Sequence, residues 1–143
     1  MFRKFSDTNL LMTFKSTNKI ELIHPKLSYK ISGVLFRVHN KLGRFCREIQ
    51  YGDLLEVELK NAGLNFEREK ILPIEDISKN DQSNKVDFLI EDKILLDIKA
   101  KKFITKEDYF QMRRYLKCSK LELGLIVNFR NTYVKAQRII NLS

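Results

Sequence analysis

The stretch KVDFLIEDKILLDIKA, residues 85–100, decides how this chain folds. Two apolar runs, 85–91 and 93–100, meet at a short polar junction, the pattern of two strands joined as a hairpin. If the turn takes Glu91, Asp92 and Lys93, Ile90 faces Ile94 and Asp87 lies across from Asp97. Side chains directly opposite share a face, and Lys99, two residues beyond Asp97, joins them. The other face is then Val86, Phe88, Ile90, Ile94, Leu96, Ile98 and Ala100, wholly apolar. A two-residue turn would pair Asp87 with Ile98 and spoil that separation. A buried face specifies its register strongly, so the three-residue turn is expected.

This register clusters two carboxylates and a lysine above an apolar sheet. Like charges at close range repel unless a cation lies between them. Mg²⁺ is the natural candidate, with Mn²⁺ as a substitute, because it takes hard oxygen ligands and keeps several waters. A lysine beside it can orient or deprotonate an attacking water and stabilise charge growing on a phosphate. The alternative is an ordinary solvated sheet face, where such pairs contribute ~0–1 kcal/mol.

Around the hairpin the remaining elements follow from periodicity. After Pro25, a good first helical residue, Leu27, Ile31, Val34, Leu35, Val38 and Leu42 recur at helical spacing, and Gly43 ends the run. A second helix is expected over about 46–62, with Tyr51, Leu55, Leu59 and Ala62 on its stripe. Residues 66–74 read as a strand that Pro73 ends or confines to an edge, and 75–84 as a loop. A third helix starts at Thr105, whose spacing to Asp108 matches a capping box; Tyr109, Met112 and Leu116 form its stripe. Residues 121–129 read as a buried strand, and 133–140 as either a strand or a short helix. The fold class is α/β or α+β with one sheet, in the order ααβββαβ. Residues 1–20 are expected to form a flexible basic arm and 21–143 a single domain.

Composition sets the class. The 143 residues carry 27 Lys and Arg against 18 Asp and Glu, a net charge of +9. Apolar residues make up 43%, enough for a packed core and against wholesale disorder. No apolar stretch is long enough to span a bilayer, and no secretory segment follows Met1. Cys46 and Cys118 cannot by themselves make a disulfide framework or a zinc site. A soluble, cytoplasmic protein with no membrane partner is expected. Between Lys99 and Lys120 the basic side chains exceed the acidic ones by six. Lys101, Lys102, Arg113, Arg114 and Lys117 are the candidate phosphate contacts. Tyr109, Phe110 and Tyr115 interleave with them and, where exposed, can stack unpaired bases; a solvated helix face is the alternative. His24 and His39 have no partner at ligand spacing.

Asp87 followed by Asp97-Ile98-Lys99 resembles the core of the PD-(D/E)XK nucleases. ISGVLFRVHNKLG, Glu48-Ile49-Gln50-Tyr51, the hairpin, QMRRYL and LGLIVNF, taken in order, resemble the small GxxExxY proteins of that superfamily. The similarity covers about residues 22–140. It implies a restriction-endonuclease-like αβββαβ core, with a central mixed sheet flanked by helices, and metal-dependent cleavage of phosphodiester bonds. Carried over by position, Asp87 and Asp97 are metal ligands, Lys99 is the catalytic lysine, and Glu48 completes or tunes the site. Gln111 matches a polar position facing that site, and Tyr51 completes the E-x-x-Y part. One departure is Phe45, which stands three before Glu48 where the pattern has Gly, although Gly43 sits at the preceding turn.

The expectation is therefore a Mg²⁺-dependent nuclease acting on nucleic acid, with DNA as the favoured substrate. A catalytically silent nuclease-like module that binds nucleic acid or a protein is the alternative, and a homodimer or a partner protein is left open.

Overall fold

The computed structural model describes residues 23–73 and 84–141. The arm read over residues 1–20 and nearly all of the 75–84 loop lie outside them. Within the described residues the order is α1 (Pro25–Leu42), α2 (Glu48–Asn61), β1 (Phe66–Ile71), β2 (Lys85–Ile90), β3 (Ile94–Lys99), α3 (Lys106–Ser119), β4 (Leu123–Asn128) and β5 (Gln137–Ile140). The ambiguous tail is a strand, so the order gains a final β. The five strands form one sheet in chain order, antiparallel except where β3 lies parallel to β4. That parallel pair needs a crossover, which α3 supplies. No described helix is long and apolar enough to cross a membrane.

The hairpin has the expected register: Ile90 pairs with Ile94, Leu89 with Leu95 and Phe88 with Leu96. Its turn places Glu91 and Asp92 at φ 54° and 55°, left-handed values that non-glycine residues adopt sparingly. Glu91 tolerates this because its N–H donates to Asn65 O at 2.9 Å and its carboxylate accepts from Asn65 N at 2.6 Å.

Two cores sandwich the sheet. Ile31, Val34, Leu35 and Val38 of α1 and Tyr51, Leu55 and Leu59 of α2 pack on Phe88, Ile90, Ile94, Leu96 and Ile98. On the opposite face Met112, Tyr115 and Leu116 of α3 cover Leu89, Leu95 and Ile126. One expected position is corrected. Val86, assigned to the face of Phe88, packs instead with Leu95, Met112 and Tyr115. The alternation breaks at Asp87, opposite Glu69, whose φ is 53°, while the β1–β2 pairs on either side, Arg68 with Phe88 and Lys70 with Val86, keep their register.

Tyr51 is a packing residue. It is fully buried, stacked on Phe129 with ring centroids 4.3 Å apart. Its hydroxyl donates to Gly43 O at 2.5 Å and accepts from Cys46 N at 3.2 Å. The α1–α2 connection is thereby pinned to the core, with Gly43 taking the left-handed φ of 74°. Phe45 in place of glycine therefore costs the turn nothing.

Two glycines separate packing from chain entropy. A Cβ on Gly124 would run into Met112 Sδ and lie 2.7 Å from its Cγ, and Met112 is fully buried. Gly124→Ala is expected to lower unfolding free energy by about 1–3 kcal/mol. Gly33, inside α1, has nothing nearer than Arg37 Nη1 at 3.7 Å. Gly33→Ala should raise it by about 0.5–1 kcal/mol. Urea denaturation of the two variants checks both signs.

Candidate active site

The β2–β3 pairing runs out at Phe88 and Leu96, and the two aspartates occupy the next position. Asp87 N donates to Asp97 Oδ1 at 3.3 Å, and Ile98 N donates to Asp87 Oδ2 at 2.7 Å. Carboxylate oxygens thus serve backbone N–H groups at the end of this ladder. Asp97 is almost wholly buried, and Asp87 is half-buried. Burial, then the Asp97 charge and the shared hydrogen bond, push the Asp87 carboxyl up to about 8, with Glu48 adding to the effect. Ile98 N pulls the other way and does not prevail.

Lys99 Nζ lies 3.3 Å from Asp97 Oδ2 and 3.9 Å from Asp108 Oδ1. Burial alone would lower the lysine, but Asp97, Asp108 and Asp87 outweigh it and hold Lys99 above its ordinary value. In this arrangement the lysine is a fixed cation rather than a proton acceptor. Asp108 was legible in the sequence only as a cap. The cap is real: Thr105 N donates to Asp108 Oδ2 at 2.7 Å. The same carboxylate also takes Lys101 Nζ at 2.6 Å. Burial would raise Asp108, but Lys101, Thr105 and Lys99 together hold it low. Asn128 is a second residue that sequence reasoning missed. It is buried, donates to Lys101 O at 2.7 Å and accepts from Lys101 N at 3.2 Å, which fixes the chain just after Lys99.

Glu48 opens α2, where a carboxylate suits the helix dipole. The surrounding protein pushes it above the ordinary range against the pull of Lys99, with Asp97 adding like charge. Together with Ile49, Gly52, Arg68, Glu69, Asp87, Phe88 and Ile98 it lines a cleft of about 230 Å³. Asp87 and Glu48 therefore open onto one cavity. Gln111 is half-buried on α3, one turn after Asp108 and one turn before Tyr115. Both neighbours sense the site: Tyr115 is pushed up to about 12 by burial and by Asp97 and Asp87.

Lys102, Arg113, Arg114 and Lys117 are exposed, and Arg114 Nε reaches Asn84 Oδ1 at 3.4 Å. Of the aromatic residues interleaved with them, Tyr115 is the one that is not available for stacking, while Tyr109 packs on its expected stripe. Tyr115 is buried, with its hydroxyl donating to Lys85 O at 3.1 Å. Tyr109 packs against the α3 core, and Phe110 is exposed. Helical spacing turns Tyr115 inward, so it is unable to stack a base.

No group of three His, Cys, Asp or Glu side chains among the described residues converges to hold a metal ion. The carboxylate pair nevertheless fits Mg²⁺, which binds through one or two carboxylates and fills its other positions with water or phosphate oxygen. Oxygens held beside each other at the cost of a raised pKa are a donor set that a divalent cation would relieve. Comparison with protein families gives a match over residues 25–140 to the PD-(D/E)XK nuclease superfamily. No curated protein and no solved structure matches the chain.

The raised carboxyl carries a pH signature. Folded, Asp87 keeps its proton to about pH 8; unfolded, it loses it near 3.8. Between those values the folded chain binds the extra proton, so stability falls as pH rises. Asp87→Asn keeps an oxygen for Ile98 N and removes the titration. In chelator, its melting temperature should exceed that of the wild type by a margin that grows to several degrees by about pH 8, then levels off. A margin that is flat with pH would refute the assignment.

Proposed function

The chain belongs to the PD-(D/E)XK nuclease superfamily, and from that premise we propose that it is a metal-dependent nuclease hydrolysing phosphodiester bonds of nucleic acid, with DNA the favoured substrate. The observation that carries the reading is the contact of Lys99 with Asp97 on one strand, hydrogen-bonded across to Asp87 on the next. Within the superfamily we place the chain with the GxxExxY proteins, on Glu48, Tyr51 and the order of the blocks around them, with Phe45 standing at the motif's glycine position.

Asp87 and Asp97 would hold Mg²⁺ or Mn²⁺, with Glu48 assisting from the helix start. The bound cation supplies Lewis-acid polarisation of the phosphate and a more acidic water. The protein's own groups do the rest. Lys99, kept cationic by Asp97 and Asp108, hydrogen-bonds the attacking water and stabilises the charge that develops on the phosphate. Such a preoriented cation in a half-buried site needs no reorganisation as that charge forms. Asp108 and Asn128 position Lys99 and the segment after it. Gln111, Lys101, Lys102, Arg113, Arg114 and Lys117 track the strand's backbone.

Asp97→Ala and Lys99→Ala should each lower Mg²⁺-dependent cleavage by roughly 100-fold or more, on a panel of single- and double-stranded substrates. Wild-type protein that cuts none of them with Mg²⁺ or Mn²⁺ sinks the nuclease reading. Salt-sensitive binding without cleavage would leave the silent nuclease-like module. Changing Arg113, Arg114 and Lys117 together to Gln should weaken binding across sequences. It should also flatten the salt dependence by about one unit of slope for each phosphate no longer engaged.

A further inference from the structure

Phe45 is an aromatic side chain that the hairpin chemistry does not use. It is 74% exposed in the α1–α2 connection, and that connection is held by Gly43 and the buried Tyr51 hydroxyl. Its ring is thus presented to solvent from a rigid turn. The Arg44 guanidinium lies over the ring, 4.8 Å from its centroid, and that of Arg130 lies over it at 5.7 Å, while most of the ring stays open to solvent. Arg44 Nε also donates to Arg130 O at 2.8 Å, which ties the turn to the segment after β4. Among the described residues neither arginine has a carboxylate partner, whereas Arg37, Lys41 and Arg68 each do.

The place matters as much as the chemistry. β3 and β4 are parallel, with Lys99 paired to Asn128, so the segments that follow them leave the sheet at one end. Phe129 N donates to Lys99 O at 2.9 Å, and Arg130 Nη2 lies 3.5 Å from Ala100 O. Phe103 and Tyr133, 71% and 86% exposed, belong to those same two segments. Phe45 precedes Glu48 by three residues, at most ~10 Å of chain. A strand rising ~3.4 Å per nucleotide covers that in about three nucleotides.

We propose that Phe45, flanked by Arg44 and Arg130, is a stacking platform for an unpaired base, and that the chain takes single-stranded nucleic acid across this end of the site. The proposal rests on the nuclease reading and names its substrate class. Bases in a duplex have their faces covered by their neighbours, whereas an unpaired base offers a face to an aromatic ring, with arginine adding cation–π attraction and phosphate contact. A protein partner is disfavoured because the ring is bordered by uncompensated positive charge, which suits a polyanion with flat apolar faces.

The test is fluorescence anisotropy of the full chain in chelator, with labelled oligothymidylate and with a blunt duplex of equal length. Phe45→Ala should weaken oligothymidylate binding by roughly five- to 100-fold and leave duplex binding and the melting temperature unchanged. Phe45→Trp should retain binding, and Phe45→Leu should behave like the alanine variant. Unchanged single-strand affinity in Phe45→Ala, an equal loss on duplex, or full binding by Phe45→Leu would overturn the platform. So would an effect of Phe45→Ala confined to self-association in sedimentation. Since no cleavage is needed, a chain that binds single strands through Phe45 yet cuts nothing with Mg²⁺ keeps the platform and loses the nuclease reading.

Discussion

Two aspartates share a position where a backbone ladder would otherwise continue, and the surrounding structure answers to that constraint. With Asp87 Oδ2 taking Ile98 N and Asp97 Oδ1 taking Asp87 N, the strands stay joined through side chains. The apolar residues before them, Phe88 against Leu96 and Ile90 against Ile94, bear the packing. Opposite Asp87 on β1, Glu69 is left-handed, and Val86 lies on the α3 side of the sheet. The energetic cost is the raised Asp87 carboxyl. A fold built only for stability would gain by replacing such a pair with apolar residues, since buried like charges are unfavourable unless neutralised.

Much of this was legible in the sequence because it is local and periodic. The hairpin register followed from keeping Ile90 and Ile94 on a buried face. The α1 stripe and the Thr105–Asp108 cap are patterns within a few residues. What was not legible depends on contacts between distant segments. Nothing near Asp108 announces that Lys99 and Lys101 will reach it. The break in alternation at Val86 falls opposite Glu69, on the neighbouring strand and outside the sequence window that reads the hairpin. Tyr115 reads as one of several aromatic residues among basic ones, but in the fold it packs with Val86, Leu95 and Met112 and its hydroxyl reaches Lys85 O. Phe45 reads as a flaw in a turn. Gly43 and Tyr51 carry that turn, which leaves the ring free to face solvent.

The positive excess therefore divides by what it faces. Lys99 and Lys101 converge on Asp97 and Asp108, and Arg37 and Lys41 neutralise the buried Glu58. The Glu58 pair serves packing and has little left for a ligand, whereas Lys99 and Lys101 are held beside the carboxylates of the proposed site. Arg44 and Arg130 have no described carboxylate partner, and Lys102, Arg113 and Lys117 lie exposed. A polyanion meeting this surface gains most where positive charge is uncompensated. The carboxylate pair, by contrast, offers a phosphate no positive charge, and where Asp87 ionises, above about pH 8, it repels one until a cation lies between them. Attraction around the site and repulsion within it then act in sequence. On the proposed function, the surrounding charge would hold the strand before metal binds, and its phosphate would settle against Asp87 and Asp97 only with metal present.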